Sequence, residues 1–150
     1  MAIERFLSTA LITVLAFVII DDLRNYRIKN SVVVILFCLC IADLLAKANF
    51  RQFIAHFLFA AAAFGLLMIA FQRGLLGGGD TKLLAVALLG IGPELSLVYA
   101  IVLLLLTLAY WGGAKLGLFP SQMIEGRLKV PFGPEIAGAW IAILVMSTAL

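Results

Sequence analysis

Long, almost unbroken runs of apolar residues limit what this chain can fold into more than any other feature of its sequence. The run from Lys82 to Trp111 contains one acidic residue, and comparable runs lie on both sides of it. Only 13% of the 150 residues are charged, compared with roughly 25% in soluble domains. A soluble domain needs charged side chains over its surface, whereas a surface that faces lipid does not. The runs therefore predict a polytopic membrane protein.

The lengths of these runs predict the number of helices. A helix that spans a bilayer needs about 20 mostly apolar residues, and the run from Lys82 to Trp111 is too long for one span. Gly and Pro within Gly90–Glu94 are expected to divide it into a short fourth helix and a full fifth. The chain is thus predicted to be an all-α, single transmembrane domain over residues 1–150 with about six helices: Ala2–Ile20, Ser31–Ala48, Phe53–Phe71, the two halves of Lys82–Trp111, and Pro134–Leu150.

The distribution of Lys and Arg predicts how this domain is oriented, because basic loops stay on the cytoplasmic side. The first, third and fifth loops of the six-helix layout carry most of the basic residues, so we expect these loops in the cytoplasm and both termini outside. No exposed basic domain remains that could bind nucleic acid, and no such partner is expected. The two sets are Arg24, Arg27, Lys29, Arg73, Lys82, Lys115, Arg127 and Lys129 on the cytoplasmic side, and Arg5, Lys47 and Arg51 on the other.

Two acidic residues stand out as candidates for chemistry, because charged groups near membrane depth are costly and are often functional. Asp22 follows Asp21 at the C-terminal end of the first helix, where the helix dipole disfavours negative charge. Asp80 follows Gly77–Gly79, and although an Asp can cap a helix, three glycines also allow an extended chain to approach the backbone. Both acids are predicted on the cytoplasmic side. Two neighbouring carboxylates there could share one proton and activate water for peptide hydrolysis.

The remaining acidic residues have structural interpretations. Asp43 is expected to pair with Lys47 one helical turn later, and Glu135 is expected to complement the dipole in the first turn of the last helix. Asp21 and Asp22 could also form a solvated loop with ion pairs to nearby arginines.

The sequence gives no reason to expect a metal ion or a cofactor. Cys38 and Cys40 are two residues apart on one helix, so their side chains point in different directions and cannot share a ligand. The single His56 is predicted in the third helix towards the outer side.

Three segments resemble the signatures of type IV prepilin peptidases, which are membrane aspartic proteases with a GxGD motif. They are Asp22–Asn30, Gly77–Leu83 and Val130–Pro134, in the order and spacing of that family. The resemblance implies that Asp22 and Asp80 are the catalytic pair. It also implies supporting roles for other residues of the motifs, namely Ile28, Asn30, Gly77, Gly78, Gly79, Lys82, Pro131, Phe132, Gly133 and Pro134.

The resemblance further implies an activity and a location. The substrate would be a prepilin or pseudopilin whose short basic leader is cut at the cytoplasmic face of the inner membrane, just before its hydrophobic helix. Asp21, Asp22 and Glu125 are the expected electrostatic contacts of that leader. The four-cysteine segment of larger members, associated with N-methylation, is not expected. The chain therefore resembles the short, peptidase-only form of Flp (tight-adherence) systems, or an archaeal preflagellin peptidase. Lys29 replaces the family's usual Pro, which affects the geometry of the loop rather than the catalytic pair.

Two functions of other classes remain open from the residues alone. One is a small proton-coupled carrier that uses both acids as ion sites, although carriers place such residues near the bilayer midplane. The other is a non-catalytic membrane protein of pilus or secretion assembly, which would tolerate the loss of either Asp.

Overall fold

The structure is a computed structural model that describes residues 2–47, 49–116, 122–124, 127–129 and 131–149. Helices make up nearly all of the described residues, as predicted. A short antiparallel hairpin of strands β1 and β2, between the last two helices, is an addition to the all-α prediction. The elements in chain order are α1 (Ala2–Asn25), α2 (Asn30–Lys47), α3 (Phe50–Gln72), α4 (Gly78–Lys115), β1 (Gln122–Ile124), β2 (Arg127–Lys129) and α5 (Gly133–Ala149).

Four of these helices, α1 to α4, are long and apolar enough to cross a membrane, and α5 is apolar but shorter. Large apolar side chains such as Leu58, Leu66 and Leu105 lie exposed on the outside of the bundle. An exposed surface of this kind is stable in lipid rather than in water. The protein is therefore a multi-pass membrane protein.

Helix α4 is broken at Gly92, which has non-helical backbone angles (φ 76°, ψ 175°). A straight helix of its 38 residues would be about 57 Å long, nearly twice the thickness of a bilayer core. Before the break, α4 runs beside α5 in the same direction. Near the starts of the two helices Asp80 shares a cavity with Phe132, and farther along them Gly90 shares another cavity with Ile143.

After the break the chain runs back along α5. Leu106 lies beside Gly138, and Tyr110 lies in the same cavity as Pro134, nearer the start of α5. The two halves of α4 thus form a helical hairpin, which confirms the predicted break in the longest apolar run.

His56 completes the backbone hydrogen bonding at this break. Pro93 has no N–H, so the carbonyl of Leu89 lacks its usual donor four residues later in the helix. The ring nitrogen Nδ1 of His56 lies 3.0 Å from that carbonyl oxygen, and Nε2 lies 3.4 Å from the carboxylate of Glu94. A side chain at Gly92 would collide with the His56 ring. The histidine therefore stabilises the reversal of the chain.

The buried core joins all five helices, with most of its side chains from α1, α2, the first half of α4 and α5. Its centre consists of side chains with no exposed surface, among them Leu15, Leu36, Leu83 and Trp140. At one end of the bundle this packing brings together the C-terminal end of α1 and the beginnings of α4 and α5. At the other end Asp43 pairs with Lys47 at 2.7 Å, as predicted.

Candidate active site

The C-terminal turns of α1 direct two neighbouring aspartates to different environments. Helix α1 continues to Asn25, beyond its predicted end at Ile20, so Asp21 and Asp22 both lie on the helix and point about 100° apart. Asp21 accepts hydrogen bonds from Asn25 Nδ2 at 2.6 Å and from Lys29 Nζ at 3.3 Å. Asp22 is only 4% exposed and points into the protein.

The buried carboxylate of Asp22 contacts the beginning of α5. The backbone N–H of Gly133 donates a hydrogen bond to Asp22 Oδ2 over 3.0 Å. A Cβ atom at position 133 would lie only 2.6 Å from that oxygen, closer than real Cβ atoms come. Glycine is therefore required here for the carboxylate to approach the backbone.

Asp80 lies in the first turn of α4 rather than at its cap. The helix begins at Gly78 and its cap residue is Gly77, which rules out the N-cap role that was the structural alternative for Asp80. A Cβ atom at Gly77 would lie 2.7 Å from Asp80 Oδ2, and one at Gly79 would lie 3.1 Å from Cβ of Ile28. These glycines leave room for the carboxylate and for the loop that follows α1.

Both aspartates line one cavity of about 280 Å³ at this end of the bundle. The α1–α2 loop, the glycine segment before α4 and the residues before α5 form its walls. Its lining residues are Asp22, Tyr26, Arg27, Ile28, Gly77, Gly78, Gly79, Asp80, Pro131 and Phe132. All three predicted motifs therefore contribute to a single site.

The other predicted supporting residues lie around this cavity. Lys82 Nζ donates a hydrogen bond to Asn30 Oδ1 over 2.9 Å, which ties the start of α4 to the start of α2. Pro134 lines a neighbouring cavity between α4 and α5 instead. Glu125, an expected contact of the leader, lies outside the described residues.

Sequence reasoning did not single out three residues at or near the site. Tyr26 and Arg27 line the cavity, and Tyr26 ends α1 with a left-handed backbone (φ 51°) that is uncommon for a residue other than glycine. Both lie inside the first motif, which could have indicated them. Glu135 is 3% exposed and lies two residues after Gly133.

The sequence model of the type IV leader peptidase family matches residues 9–114. The chain belongs to this family. The matched part of this type IV leader peptidase includes Asp22 and Asp80 and ends before Pro131, so the third motif is connected to the site by the geometry described above. No curated protein and no solved structure matches the chain.

Proposed function

We propose that this type IV leader peptidase is an aspartic endopeptidase in which Asp22 and Asp80 activate water to cleave the leader of Flp-like prepilins. The observation that supports this proposal most strongly is the presence of both carboxylates in one cavity bordered by glycines. Gly77 and Gly133 leave room for the carboxylates of Asp80 and Asp22, and the glycine segment before α4 also lines the cavity, which suits a substrate that binds there as an extended chain.

In the proposed mechanism the two carboxyl groups hold one proton between them. The ionised group accepts a proton from water as the water oxygen bonds to the scissile carbonyl carbon, and the protonated group transfers its proton to the carbonyl oxygen. The resulting gem-diol then collapses. The C–N bond breaks, the first carboxyl group gives its proton to the leaving nitrogen, and the second recovers its own.

The surroundings of Asp22 favour it as the ionised partner. Its Oδ2 accepts a hydrogen bond from the Gly133 backbone, and a donor of this kind stabilises a carboxylate rather than a carboxylic acid. Asp22 would then take the proton from water, and Asp80 would polarise the carbonyl.

The proposed orientation places the cavity at the cytoplasmic face of the inner membrane. Arg27, Lys29 and Lys82 belong to the segments that form or adjoin the cavity, whereas Lys47 and Arg51 lie at the opposite end of the bundle. Basic residues favour the cytoplasmic side. A prepilin with a cytoplasmic leader and a hydrophobic helix in the bilayer would present its cleavage site at this depth.

Cleavage of a co-expressed Flp-type prepilin tests the proposal. We expect Asp22→Asn and Asp80→Asn each to lower the cleavage rate by about 10²–10⁴-fold, the usual contribution of a general acid or base. The rate is measured from the shift of the prepilin to its shorter form on gels, at matched levels of each variant in the membrane.

Asp21→Asn is the matched control, because it removes a neighbouring carboxylate that forms surface contacts. This variant should cleave like the wild type. Cleavage by all variants would exclude the aspartate pair and favour an assembly role. Proton transport that depends on both aspartates, without cleavage, would favour the carrier.

A further inference from the structure

Glu135 is a buried carboxylate for which the proposed hydrolysis has no use. It lies in the first turn of α5 and is 3% exposed. Within the part of the chain that the structure describes, its Oε2 atom is buried and has no hydrogen-bond partner.

Position in the helix does not account for this burial. A negative charge in a first turn interacts favourably with the helix dipole, but an exposed side chain gains that benefit without losing its hydration. A buried carboxylate oxygen without a donor carries a desolvation penalty, which a hydrogen bond from the backbone N–H of Glu135 itself offsets only in part. A cationic partner that binds during function would remove this penalty.

The cavity beside Glu135 is an open groove with room for one long side chain. It has a volume of about 230 Å³, lies between the second half of α4 and the start of α5, and is predominantly apolar. Lys and Arg side chains combine an apolar stem with a cationic head, so they match apolar walls that end at a carboxylate. The walls consist of Leu106, Ala109, Tyr110, Pro134 and Gly138.

This groove adjoins the candidate active site. Glu135 is close enough to Asp22 and Asp80 to interact electrostatically with both, and Tyr110 interacts with Glu135 and Asp22. Even with one proton shared by the aspartate pair, the pair and Glu135 produce a local negative potential, although the loops at this end of the bundle are basic. A cation on a substrate bound to the aspartates would therefore be attracted towards Glu135.

We infer that Glu135 determines specificity by binding a basic side chain of the substrate leader, close to the cleaved bond, in the groove between α4 and α5. The inference rests on the proposed function, because it needs the leader to lie across the aspartate pair. It replaces Asp21 as an expected leader contact, since Asp21 already binds Asn25 and Lys29 on the surface.

The test uses the full chain in lipid nanodiscs and two synthetic prepilin peptides. One peptide carries its natural basic leader, and in the other the basic residue nearest the cleaved bond is replaced by Gln. For the basic peptide, Glu135→Gln should raise KM about tenfold, the effect of losing one charge-assisted hydrogen bond, with kcat within about twofold. For the neutral peptide, Glu135→Gln and the wild type should have equal KM.

Glu94→Gln serves as the matched control, because Glu94 is an exposed glutamate at the other end of the bundle. It should leave both KM values unchanged. Glu135→Gln has nearly the same shape as the native residue and removes a buried charge, so the variant is expected to fold.

The outcomes separate this inference from the proposed function. If the wild type cleaves both peptides but Glu135→Gln lowers only kcat, Glu135 transfers protons and the inference is wrong. Equal KM values for both peptides on the wild type would also overturn it, while leaving the aspartate pair intact. If the wild type cleaves neither peptide, both proposals fail.

Discussion

Gly133 shows how little space separates the backbone from the carboxylate of Asp22 at the candidate active site. We expect Gly133→Ala to displace this carboxylate, because the added Cβ would lie 2.6 Å from Oδ2. A displacement of about 1 Å at a reacting group can cost on the order of 10²-fold in rate, so kcat for prepilin cleavage should fall by that amount. Kinetics with the purified protein would measure the change.

Gly65→Ala is the control for this substitution, because a Cβ at position 65 would meet no atom within 4 Å. Ala is favoured over Gly within helices by up to about 1 kcal/mol, so this variant should keep its activity and unfold at an equal or higher temperature. If Gly133→Ala retained the kcat of the wild type, the contact between Asp22 and α5 would be unimportant for hydrolysis.

Some residues of the candidate active site can be identified from the sequence, and others cannot. Asp22 and Asp80 could be found because they border long apolar runs, near membrane depth, where a charge needs an explanation. Glu135 could not, since an acid in the first turn of a helix already has an ordinary explanation and its burial depends on contacts with α4. Likewise, the three glycines before α4 predicted a backbone that an extended chain can approach, whereas the structure shows that Gly77 makes room for a carboxylate.

At the scale of helices, the break in α4 depends on a side chain from α3. His56→Ala would remove the donor that His56 offers to the Leu89 carbonyl, and losing the partner of a buried polar group costs about 1–3 kcal/mol. We therefore expect a lower unfolding temperature in detergent, with kcat for prepilin cleavage unchanged because His56 and the aspartates lie at opposite ends of the bundle.

Glu94→Gln tests the contribution of the second ring nitrogen of His56, Nε2, which lies near the Glu94 carboxylate. Its carboxylate is 61% exposed, so its interaction with His56 should contribute less than about 1 kcal/mol. A loss of kcat in His56→Ala without a change in unfolding temperature would contradict the structural role and point to a part in the reaction.

Apolar runs predict that a helix exists more reliably than they predict its ends. Helix α1 continues to Asn25 and α4 begins at Gly78, because backbone hydrogen bonding continues after the sequence becomes polar. This difference matters for the site, since it puts Asp22 within α1, one turn before the helix ends. Strands β1 and β2 have three residues each, too few for a periodic pattern to emerge.

At the scale of the whole molecule, the reversal at Gly92 makes a prediction about membrane topology. If both halves of α4 cross the bilayer, Lys115 lies on the same side as Arg73, whereas Arg51 lies on the opposite side. Single cysteines at these three positions, in a chain whose Cys38 and Cys40 are replaced by Ala, can be labelled with a thiol reagent that does not cross membranes. We expect position 51 to react in spheroplasts with an intact inner membrane, and positions 73 and 115 to react only after permeabilisation.

Labelling at position 115 decides whether α4 crosses the bilayer once or twice. The first half of α4 ends at Gly92 after about 21 Å of helix, which is shorter than the roughly 30 Å thickness of a bilayer core. This half therefore falls short of a full crossing by itself, and the polar ends of the neighbouring helices have to cover the remaining distance. Labelling of position 115 from outside would mean that α4 crosses once and that the start of α5 is also outside. Asp22 would then be separated from the Gly133 backbone that binds it. The contact between Asp22 and Gly133, on which the candidate active site depends, therefore requires that positions 73 and 115 are both protected from the reagent outside.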